Sequence, residues 1–248
     1  ITFDMGGTTA KLGAVDDGTP AITPTFEVGH IRYKKGSGLP INVPAVELLE
    51  IGAGGGSIAK IEFGMIAIGP ESAGADPGPI CYGKGGTQPT ITDANVVLGY
   101  ISGDWFNAGE MQLNIEAARA GIHENIAKPL GLTLEQAAWG IHMVASNNME
   151  NALRIVSVER GRDPRAYAMV AFGGAGPLHA SRLSRGIGIP KVVIPAGAGV
   201  GSAIGLLEAE PRIDVSTTHV LKVSSEASST IRSIFNSLEQ RANEDIQR

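Results

Sequence analysis

Apolar residues occur along this chain in short runs separated by glycine-rich turns, which is typical of buried strands. Residues 1–15 carry two such runs around the turn Gly6-Gly7-Thr8-Thr9 and predict a β-hairpin. Residues 167–172 and 191–194 predict two further strands, and the alternating residues 213–223 predict another.

Helical periodicity dominates the middle and the end of the chain. Thr133 and Gln136 form a capping-box pattern at the start of the longest helix, and Gly161 is suited to end it. One predicted helix begins at Thr92 or Asp93, and the next spans 114–128 and ends before Pro129 and Gly131. A third runs from Thr133 toward Arg160, and a fourth follows Gly176 and reaches about Arg185. Two more cover 200–207 and 227–247.

Strands and helices that alternate with glycine turns predict an α/β layered domain, and the N-terminal hairpin predicts a mixed sheet. Two segments do not fit this alternation. Residues 16–45 are polar and punctuated by proline and glycine, which predicts an excursion from the domain. Residues 62–110 show little regular periodicity, as is typical of a functional segment or a lid.

Composition narrows the class of protein. The chain has 248 residues, of which 43% are hydrophobic, and a formal net charge of -5. Its lysines and arginines are scattered, so we expect no nucleic-acid surface. No apolar run reaches the roughly 20 residues that cross a bilayer. Cys81 is the single cysteine, and we expect a cytoplasmic protein that does not bind membranes. Because the chain starts in mid-strand without methionine, we expect a fragment of a longer protein.

The turn after the first strand carries the clearest chemical signal. Asp4 ends the strand, and the run Gly6-Gly7-Thr8-Thr9-Ala10-Lys11 follows. The two glycines allow several backbone N–H groups to face one point, while the threonines and the lysine add hydroxyl donors and a positive charge. Such donors beside one carboxylate suit a phosphate with its Mg²⁺. The alternative is a simple hairpin turn.

Two later glycine clusters share features with this turn. The run Gly52-Ala53-Gly54-Gly55-Gly56-Ser57 echoes it faintly, but Ala53 then falls opposite Asp4, so the second turn has no carboxylate for a metal. Two unrelated turns are an equal interpretation. The run Gly173-Gly174-Ala175-Gly176 follows a buried strand and opens a helix, as in nucleotide sites, although its spacing does not match G-x-G-x-x-G.

Taken together, these motifs resemble the hydantoinase A/5-oxoprolinase family, which includes N-methylhydantoinases and the acetone and acetophenone carboxylases. The matching motifs are residues 3–11, 52–59, 69–82, 89–95, 154–164 and 170–180. The resemblance spans residues 1 to about 215 and defines the predicted ATPase domain, 1–215. Residues 216–248 are predicted to form a terminal strand and helix that lead into a following domain.

The resemblance implies the actin/Hsp70/sugar-kinase ATPase fold, in which two RNase-H-like halves enclose an ATP cleft. This chain would be one half, a mixed sheet flanked by helices with a Gly/Pro-rich insertion. The first phosphate loop of complete members would lie upstream and be absent here. The implied roles are Mg²⁺ binding through water for Asp4, binding of the β- and γ-phosphates of ATP for Gly6, Gly7, Thr8 and Thr9, and admission of adenine and ribose for Gly173, Gly174 and Gly176.

Several other side chains have two interpretations each. Lys11 either offsets phosphate charge or is an exposed surface lysine. Glu71, Asp76 and Asp93 are candidate catalytic carboxylates, although a helix cap is the slightly favoured interpretation of Asp93. His179 either faces the site or packs between helices, which is the commoner role. No zinc site is predicted, because the histidines lack metal-ligand spacing.

By the same resemblance, family members open or activate cyclic amides and ketones at the expense of ATP, many with a hydantoinase B-type partner subunit. The main hypothesis is ATP-dependent ring opening of a cyclic amide, such as a hydantoin or 5-oxoproline, by phosphorylation of its carbonyl. The alternatives are a ketone carboxylase subunit, a kinase or activator of the same fold, and a docking domain without activity. Without the first phosphate loop, we expect the isolated chain to be inactive.

Overall fold

A computed structural model describes residues 1–28, 37–222, 224 and 227–247. The chain divides into two compact units, residues 1–202 and 203–248. The boundary expected at residue 215 stays a prediction. Of the predicted excursion at 16–45, residues 29–36 lie outside the described part, and the rest contributes short two-stranded ribbons.

The regular elements of the described residues are thirteen strands and seven α-helices. The strands are β1 Thr2–Met5, β2 Ala10–Gly13, β3 Val15–Asp16, β4 Thr19–Pro20, β5 Ile22–Thr23, β6 Phe26–Val28, β7 Leu39–Ile41, β8 Ala45–Val46, β9 Leu48–Ile51, β10 Ser57–Glu62, β11 Met65–Ser72, β12 Ala168–Phe172 and β13 Lys191–Val193. The helices are α1 Ile91–Val97, α2 Ile115–Ile122, α3 Lys128–Leu130, α4 Leu134–Val156, α5 Gly176–Ile187, α6 Gly201–Glu208 and α7 Ala227–Ile246.

Five strands form the central sheet, in the order β9-β2-β1-β12-β13. β1 is antiparallel to β2, and β2 to β9, whereas β1, β12 and β13 run parallel to one another. The predicted mixed sheet is therefore confirmed. Three antiparallel strands are thus followed by two parallel ones, and the first strand lies in the centre of the sheet.

The core of the first unit lies between this sheet and a layer of helices. In β1, the fully buried Phe3 and Met5 alternate with the half-buried Thr2 and Asp4, which is the two-residue period of a strand. α4 contacts β2 and β9, α5 contacts β1 and β12, and the two helices contact each other. The side chain of Asp4, the residue before the last in β1, thus lies at the margin of a well-packed core.

The segment 62–110 is more regular than its sequence pattern indicated. β10 and β11 form an antiparallel hairpin whose turn contains Phe63 and Gly64, both with positive φ. β11 contains Gly69 and Pro70, residue types that normally mark turns and that obscure the alternation of a strand. For that reason this strand was missing from the sequence prediction.

The start of α1 also differs from the prediction. Its N-cap is Thr90 rather than Thr92 or Asp93, because the Thr90 side chain accepts a hydrogen bond from the N–H of Asp93. Asp93, three residues on, accepts one in return from the N–H of Thr90, and the two bonds form a capping box. The expected helix is present, and Asp93 lies in its first turn.

The middle helices end close to the residues that the sequence predicted, but two of the predicted ends are corrected. Pro129 does not end a helix, since α3 continues directly from a π-helical turn at His123–Ala127 and Pro129 lies inside this helical run. Gly131, with φ of 65°, ends that helix as expected. α4 begins at the predicted capping box of Thr133 but ends at Val156, before the expected Arg160, and a 3₁₀ turn leads on to Gly161.

The second unit contains one long helix. α7 confirms the terminal helix that the sequence predicted. The strand predicted for 213–223 is wrong over 213–222, which form no regular structure, because no neighbouring strand within the described residues pairs with them. In the described residues, no helix has both the length and the apolar character needed to cross a membrane.

Candidate functional site

The parallel pairing of β1 with β12 brings two glycine loops to one edge of the sheet. Asp4 pairs with Phe172 in the register, so the loop after β1 (residues 6–9, the 6–9 loop) and the loop after β12 (residues 173–176, the 173–176 loop) leave the sheet side by side. Asp4 is half-buried at this edge, and its Oδ2 accepts a hydrogen bond of 2.9 Å from Ser202 Oγ. Sequence reasoning missed Ser202, because its contact with Asp4 spans 198 positions.

Gly173 lies directly against the end of β1. A Cβ on this residue would collide with Asp4 Oδ1 and would lie 2.5 Å from Met5 O, and its φ of 80° is in the left-handed region. Its N–H donates to Ala198 O over 2.8 Å, and the N–H of Ala175 donates to Met5 O over 2.9 Å. Glycine is required here, since any side chain would displace the Asp4 carboxylate.

The 173–176 loop leads into the uncapped N-terminus of α5. No side chain caps the first turn of this helix, and no acidic residue lies in it. The first N–H groups of a helix carry a partial positive charge that favours anions. The loop therefore presents a positive helix end beside Asp4.

The 6–9 loop is backed by the second glycine loop of the chain (residues 52–57, the 52–57 loop). The N–H of Gly55 donates to Gly6 O over 3.0 Å, and the N–H of Gly56 donates to Gly7 O over 2.6 Å. A Cβ on Gly54 would lie 2.5 Å from Thr8 N and 2.6 Å from Gly7 C, so the two backbones touch. The faint sequence echo thus corresponds to two loops in contact.

This packing determines where the N–H groups of the 6–9 loop point. In a trans peptide the C=O and the following N–H point in opposite directions. Because the carbonyls of Gly6 and Gly7 face the 52–57 loop, the N–H groups of Gly7 and Thr8 face the other way. Both residues are exposed or nearly so, and neither N–H donates to an atom of the described residues. Backbone donors of this kind, exposed and without a partner in the part of the chain that the structure describes, are suited to an anion.

Lys11 lies near this loop but is already partnered. Its Nζ donates to Thr9 Oγ1 over 3.2 Å and lies 3.5 Å from Glu50 Oε1 on the neighbouring strand β9. The side chains of Lys11 and Glu50 are 43% and 54% exposed, so the pair contributes little to stability. Much of the lysine charge is offset by Glu50, and the exposed-lysine interpretation is favoured.

Asp93 connects two neighbouring backbone segments. Its fully buried carboxylate accepts hydrogen bonds from the N–H and the hydroxyl of Thr90 and from the N–H groups of Ile80 and Cys81, at 2.8 to 3.2 Å. It therefore holds the start of α1 against residues 80–81, which agrees with the helix-cap interpretation. The same carboxylate contributes to raising the pKa of Cys81, behind the larger effect of burial.

Glu71 lies on the exposed side of β11. Its carboxylate is 2.8 Å from Lys60 Nζ, and this hydrogen bond holds the pKa of Glu71 below its usual value. Asp76, the other candidate carboxylate, is exposed in the Gly/Pro-rich loop. The structure shows no hydrogen bond or ion pair that joins Glu71 to the Asp4 edge within the described residues.

His179 is buried in the helical layer. Its Nδ1 lies 3.1 Å from Ser146 Oγ, its ring stacks on His142, and His142 Nδ1 lies 2.9 Å from Asn95 Oδ1. Burial lowers the pKa of His142 to about 4 and that of His179 to about 3. These contacts favour the packing interpretation of His179. Ser146 is buried with this histidine, whereas the next two residues of α4, Asn147 and Asn148, are exposed.

A magnesium ion with a phosphate fits this edge of the sheet without a cluster of ligands. Among the described residues, no three His, Cys, Asp or Glu side chains come together as a metal site. Mg²⁺ keeps several of its waters and is commonly held by one or two carboxylates together with substrate phosphates. Asp4, beside the donors of Gly7 and Thr8, matches that donor set.

Known proteins resemble this chain in both sequence and fold. A family model described as Hydantoinase/oxoprolinase matches residues 1–215. The chain is 41% identical to the caprolactamase alpha subunit of Pseudomonas jessenii, over 91% of this chain and 32% of that subunit.

Two solved structures match as well. A nucleotide-free acetone carboxylase has a TM-score of 0.81 at 28% identity and covers 99% of this chain and 35% of that chain. The ATP-dependent caprolactamase of P. jessenii has a TM-score of 0.71 at 43% identity and covers 83% of this chain and 29% of that chain. The predicted fold is confirmed, and the chain spans about a third of the length of these proteins.

Proposed function

This chain belongs to the hydantoinase/oxoprolinase family, and we propose that it is the phosphate-binding half of an enzyme that opens a cyclic amide at the expense of ATP. The observation that carries the proposal is the pair of exposed N–H groups of Gly7 and Thr8, which have no partner among the described residues and lie in the loop that follows Asp4. Caprolactamase, a relative whose structure is that of an ATP-dependent enzyme, supports the cyclic amide as the substrate class.

The 6–9 loop would bind the β- and γ-phosphates. The 52–57 loop holds the carbonyls of Gly6 and Gly7, so the N–H groups of Gly7 and Thr8 need no reorganisation when a phosphate arrives. The hydroxyls of Thr8 and Thr9 lie on the same short turn and would add two donors. The 173–176 loop, with the positive end of α5 behind it, would admit the nucleoside close to the backbone.

Asp4 would hold Mg²⁺ through water. Ser202 donates to its Oδ2, which orients the carboxylate, and Gly173 leaves the space on its other side free of any side chain. Lys11 would have a minor role, since Glu50 already offsets its charge.

When bound, MgATP would supply the phosphoryl group for the amide carbonyl oxygen, with ADP as the leaving group. Water added to the activated carbon would break the C–N bond and leave an acyl phosphate on the opened ring, and a second water would hydrolyse that acyl phosphate to the carboxylate and phosphate. Positioning and charge stabilisation are the main protein contributions to such a transfer. In this chain, the fixed N–H groups of the 6–9 loop would serve both purposes. Asp93 would act at a distance, as part of the scaffold, and Glu71 is left as a candidate for contact with the substrate.

A ketone carboxylase subunit is the second candidate. It is favoured by the fit to acetone carboxylase, whose structure covers 99% of this chain. A partner subunit is part of either proposal, because the caprolactamase relative is an alpha subunit.

The decisive experiment uses the full-length protein with Mg²⁺, with and without a hydantoinase B-type subunit. Release of ADP is measured across hydantoins, 5-oxoproline, lactams, and ketones with bicarbonate. Stimulation by a cyclic amide supports ring opening, and stimulation by a ketone only with bicarbonate supports the carboxylase. If nothing stimulates turnover and no nucleotide binds, the chain is a docking domain and the proposal is wrong.

A further inference from the structure

Thr92 has no role in the nucleotide chemistry described so far, yet it bonds to the 52–57 loop that supports the 6–9 loop. We propose that Thr92 is a positioning residue that sets the phosphate-binding geometry of the 6–9 loop by way of the 52–57 loop. The inference rests on the proposed nucleotide function and adds to it a residue outside the phosphate loop.

Hydrogen bonds connect these three segments without a break. The N–H of Thr92 donates to Gly55 O over 2.8 Å, and its hydroxyl donates to the same oxygen over 2.9 Å. The N–H groups of Gly55 and Gly56 then donate to Gly6 O and Gly7 O. Each of these hydrogen bonds joins two segments that are distant in sequence. The start of α1 therefore orients the 6–9 loop through the 52–57 loop.

Close packing makes this connection stiff. Thr92 is 6% exposed, and a Cβ on Gly55 would lie 2.7 Å from its Oγ1. The backbones of Gly54, Gly7 and Thr8 are in contact, as described above. A shift of Gly55 O therefore moves the N–H groups that hold the carbonyls of Gly6 and Gly7, and with them the N–H groups of Gly7 and Thr8 that would bind the phosphate.

The 52–57 loop has its own internal support, so it transmits a shift as a unit. The N–H of Gly54 donates to Ser57 Oγ over 2.9 Å, and the N–H of Ser57 donates to Gly54 O over 2.9 Å. The N–H of Ala73 donates to Gly56 O over 2.8 Å and fixes the far side of the loop.

The first test compares Thr92→Val with Thr92→Ser in the full-length protein. Valine keeps the shape and the backbone bond but removes the hydroxyl bond to Gly55 O, whereas serine retains it. We expect Thr92→Val to weaken the binding of ATP and ADP about three- to tenfold, the range given by loss of one buried hydrogen bond. Adenosine, measured as a competitor, carries no phosphate and should bind as in the wild type.

Restored ATP affinity in Thr92→Ser would support the positioning role, and Thr2→Val is the matched control. It removes another threonine hydroxyl bond to a backbone carbonyl, Thr2 Oγ1 to Gly13 O, away from the loops, and should leave the ratio of ATP to adenosine affinity unchanged. Equal losses for ATP and adenosine in Thr92→Val, or no loss for either, would overturn the inference. If the wild type binds neither nucleotide, the proposed function itself fails, which is a distinguishable result.

A second pair of variants tests the loop directly. Gly54→Ala places a methyl group against the backbone of Gly7 and Thr8, whereas Gly205→Ala, at an exposed position of α6, meets nothing within 4 Å. We expect the first to lower ATP affinity at least as much as Thr92→Val and the second to leave it unchanged. Wild-type ATP affinity in a folded Gly54→Ala protein would contradict the inference.

Discussion

His142 and His179 stack face to face between α4 and α5, with ring centroids 4.4 Å apart and an angle of 12° between the ring planes. Trp139 stacks on the other side of His142, and Arg182 lies 4.5 Å from the Trp139 ring. Burial lowers the pKa of both histidines, and the nearby Arg182 lowers them further. The stack is therefore neutral at pH 7 and belongs to the packed layer that supports α5.

This stack predicts that the protein loses stability in mild acid. An unfolded histidine binds a proton near pH 6.5, whereas the folded pair binds none until about pH 4 and about pH 3. The unfolded state therefore binds more protons between pH 6.5 and pH 4, and the free energy of unfolding falls as the pH is lowered through this window. The slope is at most about 1.4 kcal/mol per pH unit for each histidine.

Urea unfolding followed by tryptophan fluorescence at pH 7 and pH 5 measures this loss. His142→Gln should reduce the difference between the two pH values, even if it lowers stability at both. His123→Gln is the control, because the His123 side chain is 52% exposed, and its pH response should match the wild type. An unchanged difference in His142→Gln would show that the stack is not the source of the acid sensitivity.

Asp4→Asn should abolish ATP turnover in the full-length enzyme and leave folding intact. The amide keeps the shape of the side chain and can still accept from Ser202 Oγ, but it lacks the charge that holds a hydrated Mg²⁺. ADP release and thermal unfolding are measured on the same preparation. The exposed Asp104 offers a control in Asp104→Asn, which should turn over ATP normally. Normal ATPase activity in Asp4→Asn would remove Asp4 from the site.

Gly173→Ala should destabilise the protein more than Gly161→Ala. Both glycines have φ near 80°, at 80° and 75°, so alanine is strained at either position. Only at Gly173 does the added methyl group meet Asp4 and Met5, whereas at Gly161 it meets nothing within 4 Å. We expect an additional loss of about 1–3 kcal/mol at Gly173, the usual cost of overpacking, measured by urea unfolding. Equal losses of the free energy of unfolding at the two positions would mean that Asp4 and Met5 can move away from the added methyl group.

Asp93→Asn should lower the free energy of unfolding by about 2 kcal/mol or more, because a buried carboxylate that accepts four hydrogen bonds loses its charge and gains a donor facing donors. Thermal unfolding measures the loss, and Asp104→Asn is again the matched control. If activity vanishes while stability stays at the wild-type value, Asp93 has a chemical role that the structure does not indicate.

The sequence predicted those parts of the fold that depend on neighbouring residues. The hairpin of β1 and β2, the capping box at Thr133 and the glycine turns after β1 and β12 follow from local pattern and backbone chemistry. The sequence prediction missed β11 because Gly69 and Pro70 hide its period, and it missed the cap at Thr90 because Thr90, Thr92 and Asp93 could each begin the helix.

The candidate site could be predicted only in part, for a related reason. Asp4 and its glycines are adjacent in sequence and were identified together. The partners that orient them, Ser202 and the 52–57 loop, reach the site through tertiary contacts that no local pattern records. The roles assigned to the individual residues stay predictions until the variants above are measured.

The pairing of β1 with β12 has a consequence for how the protein folds. Ile1 N bonds to Ala168 O, a partner 167 positions away, so the two loops meet only after a very long stretch of chain has closed. The hairpins of β1 with β2 and of β10 with β11 need far shorter loops and can form first. Asp4 and Gly173 come together only when β1 pairs with β12. The moment at which phosphate binding appears during refolding would therefore report when the central sheet is complete.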